Sequence, residues 1–125
     1  MNTGQKGLLG LVTLGATCLS IVALAPAAHA GTENYIQITH NAGFVANTCF
    51  NWRDAENRNY CNNARPVGTS WKAYFPAEAT GAMIDLSIWP GYTAKASAVV
   101  TDTNRNHCFE ISGSALNPTL LETGC

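Results

Sequence analysis

The chain has 125 residues, 46% of them apolar and only 12% charged, with five cysteines and a formal net charge of −1. That size fits one small domain and excludes a multidomain enzyme. The charge balance argues against a nucleic-acid partner, because no cluster of lysine and arginine is available to neutralise a phosphate backbone.

Residues 1–30 read as a secretory signal peptide. Lys6 is the one basic side chain of a short polar start, residues 7–25 are uncharged and rich in Leu, Val and Ala, and Pro26 breaks the run. Ala28 and Ala30 place small side chains where a signal peptidase reads them, so cleavage is expected after Ala30, leaving residues 31–125 as a single exported domain. Cys18 follows Gly15-Ala16-Thr17 without the leucine of a lipoprotein signal, which disfavours lipidation. Past the leader the net charge is −2 and four cysteines remain, Cys49, Cys61, Cys108 and Cys125. An even number in an exported chain reads as two disulfides. Of three pairings, local closure favours Cys49 with Cys61 and Cys108 with Cys125. Each link would contribute about 3 kcal/mol by loop entropy. Zinc is disfavoured, since no C-x-x-C pair occurs and His40 and His107 lack finger spacing.

Strand periodicity runs through the rest. Ile36 and Ile38 alternate with Gln37 and Thr39, predicting a half-buried strand over residues 35–40. Asn41-Ala42-Gly43 marks a turn. Alternation resumes over residues 44–52, with Phe44, Ala46, Thr48, Phe50 and Trp52 facing the core, and these two strands are expected to pair as a hairpin. Residues 53–69 are polar and rich in asparagine and read as a loop held by Cys61, with recognition of a partner as its sharper use. Further strands are expected at residues 70–75, 83–89, 96–101, 107–112 and 115–121, the last on an edge because Pro118 cannot donate a ladder hydrogen bond. Six or seven short strands with no helical window outside the leader predict an all-β fold, a small antiparallel sandwich stapled by disulfides.

Chemistry is sparse. A nucleophilic enzyme needs an activated serine or a free cysteine beside a histidine. Here no G-x-S-x-G elbow exists and the cysteines are used as disulfides. His40 and His107 are expected at strand ends on the surface. The chain therefore reads as a non-enzyme with no cofactor and no metal. Its aromatic residues stand out instead: Trp52 and Trp71 continue apolar faces and belong in the core, whereas Trp89 shares the face of Asp85 and Ser87, just before Pro90-Gly91 and Tyr92.

Three segments resemble the C-terminal β-sandwich, or membrane-recognition, domain of the thiol-activated, cholesterol-dependent cytolysins. They are Asn41-Ala42-Gly43-Phe44-Val45-Ala46-Asn47-Thr48-Cys49-Phe50-Asn51-Trp52, the apolar strand 83–89, and Phe109-Glu110-Ile111-Ser112-Gly113-Ser114-Ala115-Leu116-Asn117-Pro118. The resemblance spans residues 36–121 and implies loops at one end of the sandwich that attach to a lipid, sterol included, or a glycan surface. It points to Ala115 and Leu116, where the family carries a Thr-Leu pair, so the threonine hydroxyl is missing here. The position of the family's tryptophan-rich loop holds Pro90-Gly91-Tyr92-Thr93-Ala94-Lys95-Ala96 instead. With no pore-forming domain, the implied role is a secreted, extracellular or periplasmic, non-lytic binding module that uses Trp89, Tyr92, Ala115 and Leu116. A second reading is a secreted inhibitor that meets a protein target through residues 53–69, with Arg58 and Arg65 as contacts.

Overall fold

A computed structural model describes residues 33–125; the expected leader and its cleavage site lie outside the described residues. Eight strands follow one another: β1 (Tyr35–His40), β2 (Ala46–Arg53), β3 (Tyr60–Arg65), β4 (Ser70–Tyr74), β5 (Gly81–Ile88), β6 (Ala96–Val100), β7 (His107–Ser114) and β8 (Asn117–Thr123). They form two four-stranded sheets, ordered β8-β7-β1-β4 and β3-β2-β5-β6. All neighbours pair antiparallel except β1 with β7, which run parallel.

The alternation seen in the sequence becomes the core. Ile36 and Ile38 of β1 meet Phe109 and Ile111 of β7 on the inner face of one sheet, while Phe50 and Trp52 of β2 meet Ile84 and Leu86 of β5 on the other. Phe50 stacks on Trp52 at 5.8 Å and Phe75 meets Trp52 edge-on at 5.7 Å, and such aromatic pairs add to simple area burial. Trp71 is buried as expected, with its indole N–H donating to Thr48 Oγ1 at 2.9 Å. Both disulfides take the local pairing: Cys49–Cys61 links the directly paired β2 and β3, and Cys108–Cys125 ties the chain end to β7.

Three expectations need correction. First, β1 and β2 do not form a hairpin: residues 41–45 carry the chain from one sheet to the other, and β1 pairs with β4 and β7. Both strands bury one face against the same core, and crossing between layers satisfies that as well as side-by-side pairing would. Second, residues 53–69 are not one loop. A 3-10 turn at Glu56–Arg58 leads into β3, whose side chains are mostly exposed, so the alternation that reveals a half-buried strand is missing. The strand exists because β2 offers it an edge and Cys49 holds Cys61. Third, His40 and His107 stand at strand ends but are buried, at 0% and 2% exposure.

Candidate functional site

The registers decide which loops share an end. His40 closes β1 beside Ile111 of β7, and β2 opens with Ala46 opposite Ile88 and Arg65. The loops 41–45, 66–69, 89–95 and 115–116 therefore emerge at one end, called here the tip. Residues 54–59, 75–80 and 101–106 turn at the other end, the base, where the chain also finishes. Backbone bonds tie the tip loops together: the Trp89 amide donates to the Val45 carbonyl at 2.9 Å and the Gly68 amide to the His40 carbonyl at 2.8 Å. Asn47 is buried on the outer side of its sheet because its side chain bridges two tip segments, donating to the Gly91 carbonyl and accepting from the Ala64 amide, both at 2.8 Å.

All four residues singled out in the sequence stand at the tip. Leu116 is 97% exposed, Tyr92 62% and Trp89 49%, and Ala115 is exposed beside Leu116. Gly113 sets up their turn: it sits at φ +88°, where a Cβ would collide with the Asn117 carbonyl oxygen, so glycine alone fits. Trp89 departs from the face it was assigned. Its predecessor Ser87 is buried, and the chain leaves the sheet after Ile88, freeing the indole from the strand's alternation.

Sequence reasoning missed two members of this surface. Val45 and Val67 are also exposed, in the loops 41–45 and 66–69, so four tip loops each present at least one apolar or aromatic side chain to solvent. A lone valine between turn residues carries no periodic signal, and only the topology shows that these loops converge. Charge divides the molecule the same way. Lys95 is the single charged residue of the four tip loops, whereas the three base loops hold Asp54, Glu56, Glu78 and Asp102 with Arg58 and Arg105. Arg65, offered by the alternative reading as an exposed contact, is half-buried with its guanidinium 5.1 Å from the Trp71 ring.

The base satisfies its own polar groups. His107 is clamped between two carboxylates, with Nδ1 2.8 Å from Glu122 Oε2 and Nε2 3.0 Å from Asp102 Oδ1, and Arg105 bridges the same two residues at 3.4 and 4.0 Å. A cavity of about 320 Å³ also lies toward the base on the outer side of the β2–β5–β6 surface, between Arg53, Glu56, Met83 and Val99, and none of the tip residues lines it. Among the described residues no group of three His, Cys, Asp or Glu side chains could hold a metal ion, and no helix is long and apolar enough to cross a membrane.

No protein-family model and no curated protein matches the chain. Solved structures do match, cholesterol-dependent cytolysins among them. Listeriolysin O shares 18% identity over 76% of this chain and 23% of its own, with a TM-score of 0.54. A disulfide-locked mutant of intermedilysin solved with human CD59 shares 14% over 74% and 24%, at 0.51. A Gram-negative toxin shares 16% over 74% and 23%, at 0.52. The chain thus has the fold of one domain of these proteins and spans about a quarter of those chains' length. At such identities the likeness is one of fold.

Proposed function

We propose that this chain is a secreted, non-enzymatic module that docks its tip on a membrane surface. The observation that carries the reading is that four converging loops holding only one charge expose Val45, Val67, Trp89, Tyr92 and Leu116 together, whereas the other exposed large apolar side chains, Tyr60, Tyr74, Met83, Val99 and Leu121, stand on strands β3, β4, β5, β6 and β8. Large apolar side chains gathered at one end of a small domain mark an interaction surface. Tryptophan and tyrosine suit the boundary between headgroups and acyl chains, where an apolar ring and a polar N–H or O–H are both accommodated. Leu116, almost fully exposed, would contribute about 1.5–3 kcal/mol on leaving water, and the partly buried tip side chains correspondingly less.

The fold shared with the cytolysins supports a membrane as the target, with a lipid, sterol included, or a glycan as the recognised component. Leu116 keeps the leucine of the family's Thr-Leu pair and Ala115 lacks its hydroxyl, so binding rests on apolar contact. The two disulfides fit an oxidising compartment, in keeping with a leader cleaved after Ala30 and a mature chain of residues 31–125. The action proposed for this domain is binding rather than lysis.

The test is co-sedimentation of the oxidised protein with phosphatidylcholine vesicles containing or lacking sterol, beside a glycan array. Pelleting with vesicles, or capture by a glycan, that is weakened by replacing Tyr92 and Leu116 supports the reading. Binding to neither overturns it.

A further inference from the structure

We propose that His40 is an acid-released latch on the tip, whose protonation frees residues 42–44, between the anchors at Asn41 and Val45, and adds the Phe44 ring to the apolar surface. The inference rests on the docking reading above and concerns how that site is regulated.

His40 ends β1 and is fully buried. Its Nε2 lies 2.6 Å from the Phe44 carbonyl oxygen and its Nδ1 accepts from the Ala42 amide at 3.3 Å. A ring that donates from one nitrogen and accepts at the other is a neutral imidazole carrying its proton on Nε2. These two bonds, with the contact of the imidazole and Phe44 rings at 5.2 Å, hold the crossover against the core. A second proton would turn Nδ1 into a donor facing the Ala42 N–H and leave both without an acceptor.

The surroundings offer the charged ring little. From β4, Trp71 meets the imidazole edge-on at 6.4 Å. From β3, the Arg65 guanidinium lies over that same indole, so the cation already on this side opposes another. From β7, Ile111 is the register partner of His40, and the carboxylate of neighbouring Glu110 is engaged by the Asn41 side chain at 2.6 Å. Burial accordingly holds His40 below the usual histidine range, with the hydrogen bond to Phe44 opposing in part. The charged ring reaches water only by leaving its site, and the crossover bonded to it leaves as well.

What is released matters to the tip. Phe44 is half-buried against the core at neutral pH, next to exposed Val45. The bond from the Trp89 amide to the Val45 carbonyl anchors the far side of the loop, so the loop opens as a flap beside Trp89. Gly43, with open space around it, supplies the freedom for that movement.

Two measurements on the oxidised protein test this. Amide exchange, corrected for its intrinsic pH dependence, should show the Ala42 amide, whose acceptor is His40 Nδ1, losing protection by about tenfold or more between about pH 7.5 and about pH 5. His40→Gln should hold its protection constant over that range. Pelleting with phosphatidylcholine vesicles should rise in acid by about tenfold, and Phe44→Ala should lose that increment. Should His40→Gln not fold, the Phe44→Ala comparison and the wild-type exchange profile still decide. Unchanged protection of the Ala42 amide in acid overturns the latch. A loop that opens without any gain in pelleting overturns the role given to Phe44, whereas opening with no pelleting at either pH refutes the docking reading and leaves the latch standing.

Discussion

The tip and the base close loops between the same two sheets, yet with opposite chemistry. At the base, polar and charged side chains find partners within the chain: Glu122 and Asp102 hold His107, Thr80 Oγ1 donates to the Asp54 carboxylate, and Arg53 donates to Thr80 Oγ1 at 2.9 Å and to the Thr80 carbonyl at 2.8 Å. The second disulfide closes the same end. At the tip, the backbone is just as well tied, but Leu116, Tyr92 and Trp89 point into water. The tip holds its backbone in order while presenting apolar groups to water, and on the proposed reading stability and docking fall to opposite ends.

Substitutions can break or sharpen that contrast. Phe50→Ala removes a ring shared by both ends from the central core and should cost about 3–5 kcal/mol in denaturant unfolding; a small cost would mean that the core is looser than its burial implies. Replacing Cys108 and Cys125 together by serine should cost about 3 kcal/mol, with vesicle binding retained. His107→Gln disturbs the hydrogen bonds from the buried ring to Glu122 and Asp102 and should cost about 1–2 kcal/mol, again sparing binding. Leu116→Ser should do the reverse, changing stability by less than about 0.5 kcal/mol while weakening binding. A tip substitution that unfolds the protein, or a base substitution that abolishes binding in a folded one, would erase the division.

Acid sharpens it further. Because His40 is held below the usual histidine range, its contribution to stability is complete above about pH 6.5 and is lost as pH falls below that value toward the folded one. Thermal unfolding followed from neutral to mildly acidic pH should show this loss, and His40→Gln should remove its share of the slope.

Much of this was legible in the sequence, where one face of a strand is apolar and the other is not. Ile36, Ile38, Phe50, Trp52, Ile84 and Leu86 announce their strands by period two, and cysteine spacing favours the disulfides that form. The signal fails where exposure is uniform: β3, with Tyr60, Cys61 and Asn63 all exposed, has no buried face to betray it. It also fails for polar residues buried by contacts distant in sequence. Asn47 is enclosed by residues 64 and 91, and His107 by residues 102 and 122, pairings that periodicity does not encode. Trp89 and Tyr92 stand out as aromatics flanking the Pro90-Gly91 turn, Ala115 and Leu116 come through a resemblance to a known family, and Val45 and Val67 only from the convergence of loops that the topology creates.

Trp89 allows the most direct test of docking, because Trp52 and Trp71 are buried and it is the exposed indole among the described residues. Its fluorescence should be quenched by vesicles of phosphatidylcholine and sterol in which the phospholipid carries bromine on its acyl chains, and Trp89→Phe should abolish the effect. Quenching of that kind would place the tip in the bilayer. Protein that pellets with the vesicles while its emission stays unquenched would mean that another face binds, and the assignment of docking to the tip would be contradicted.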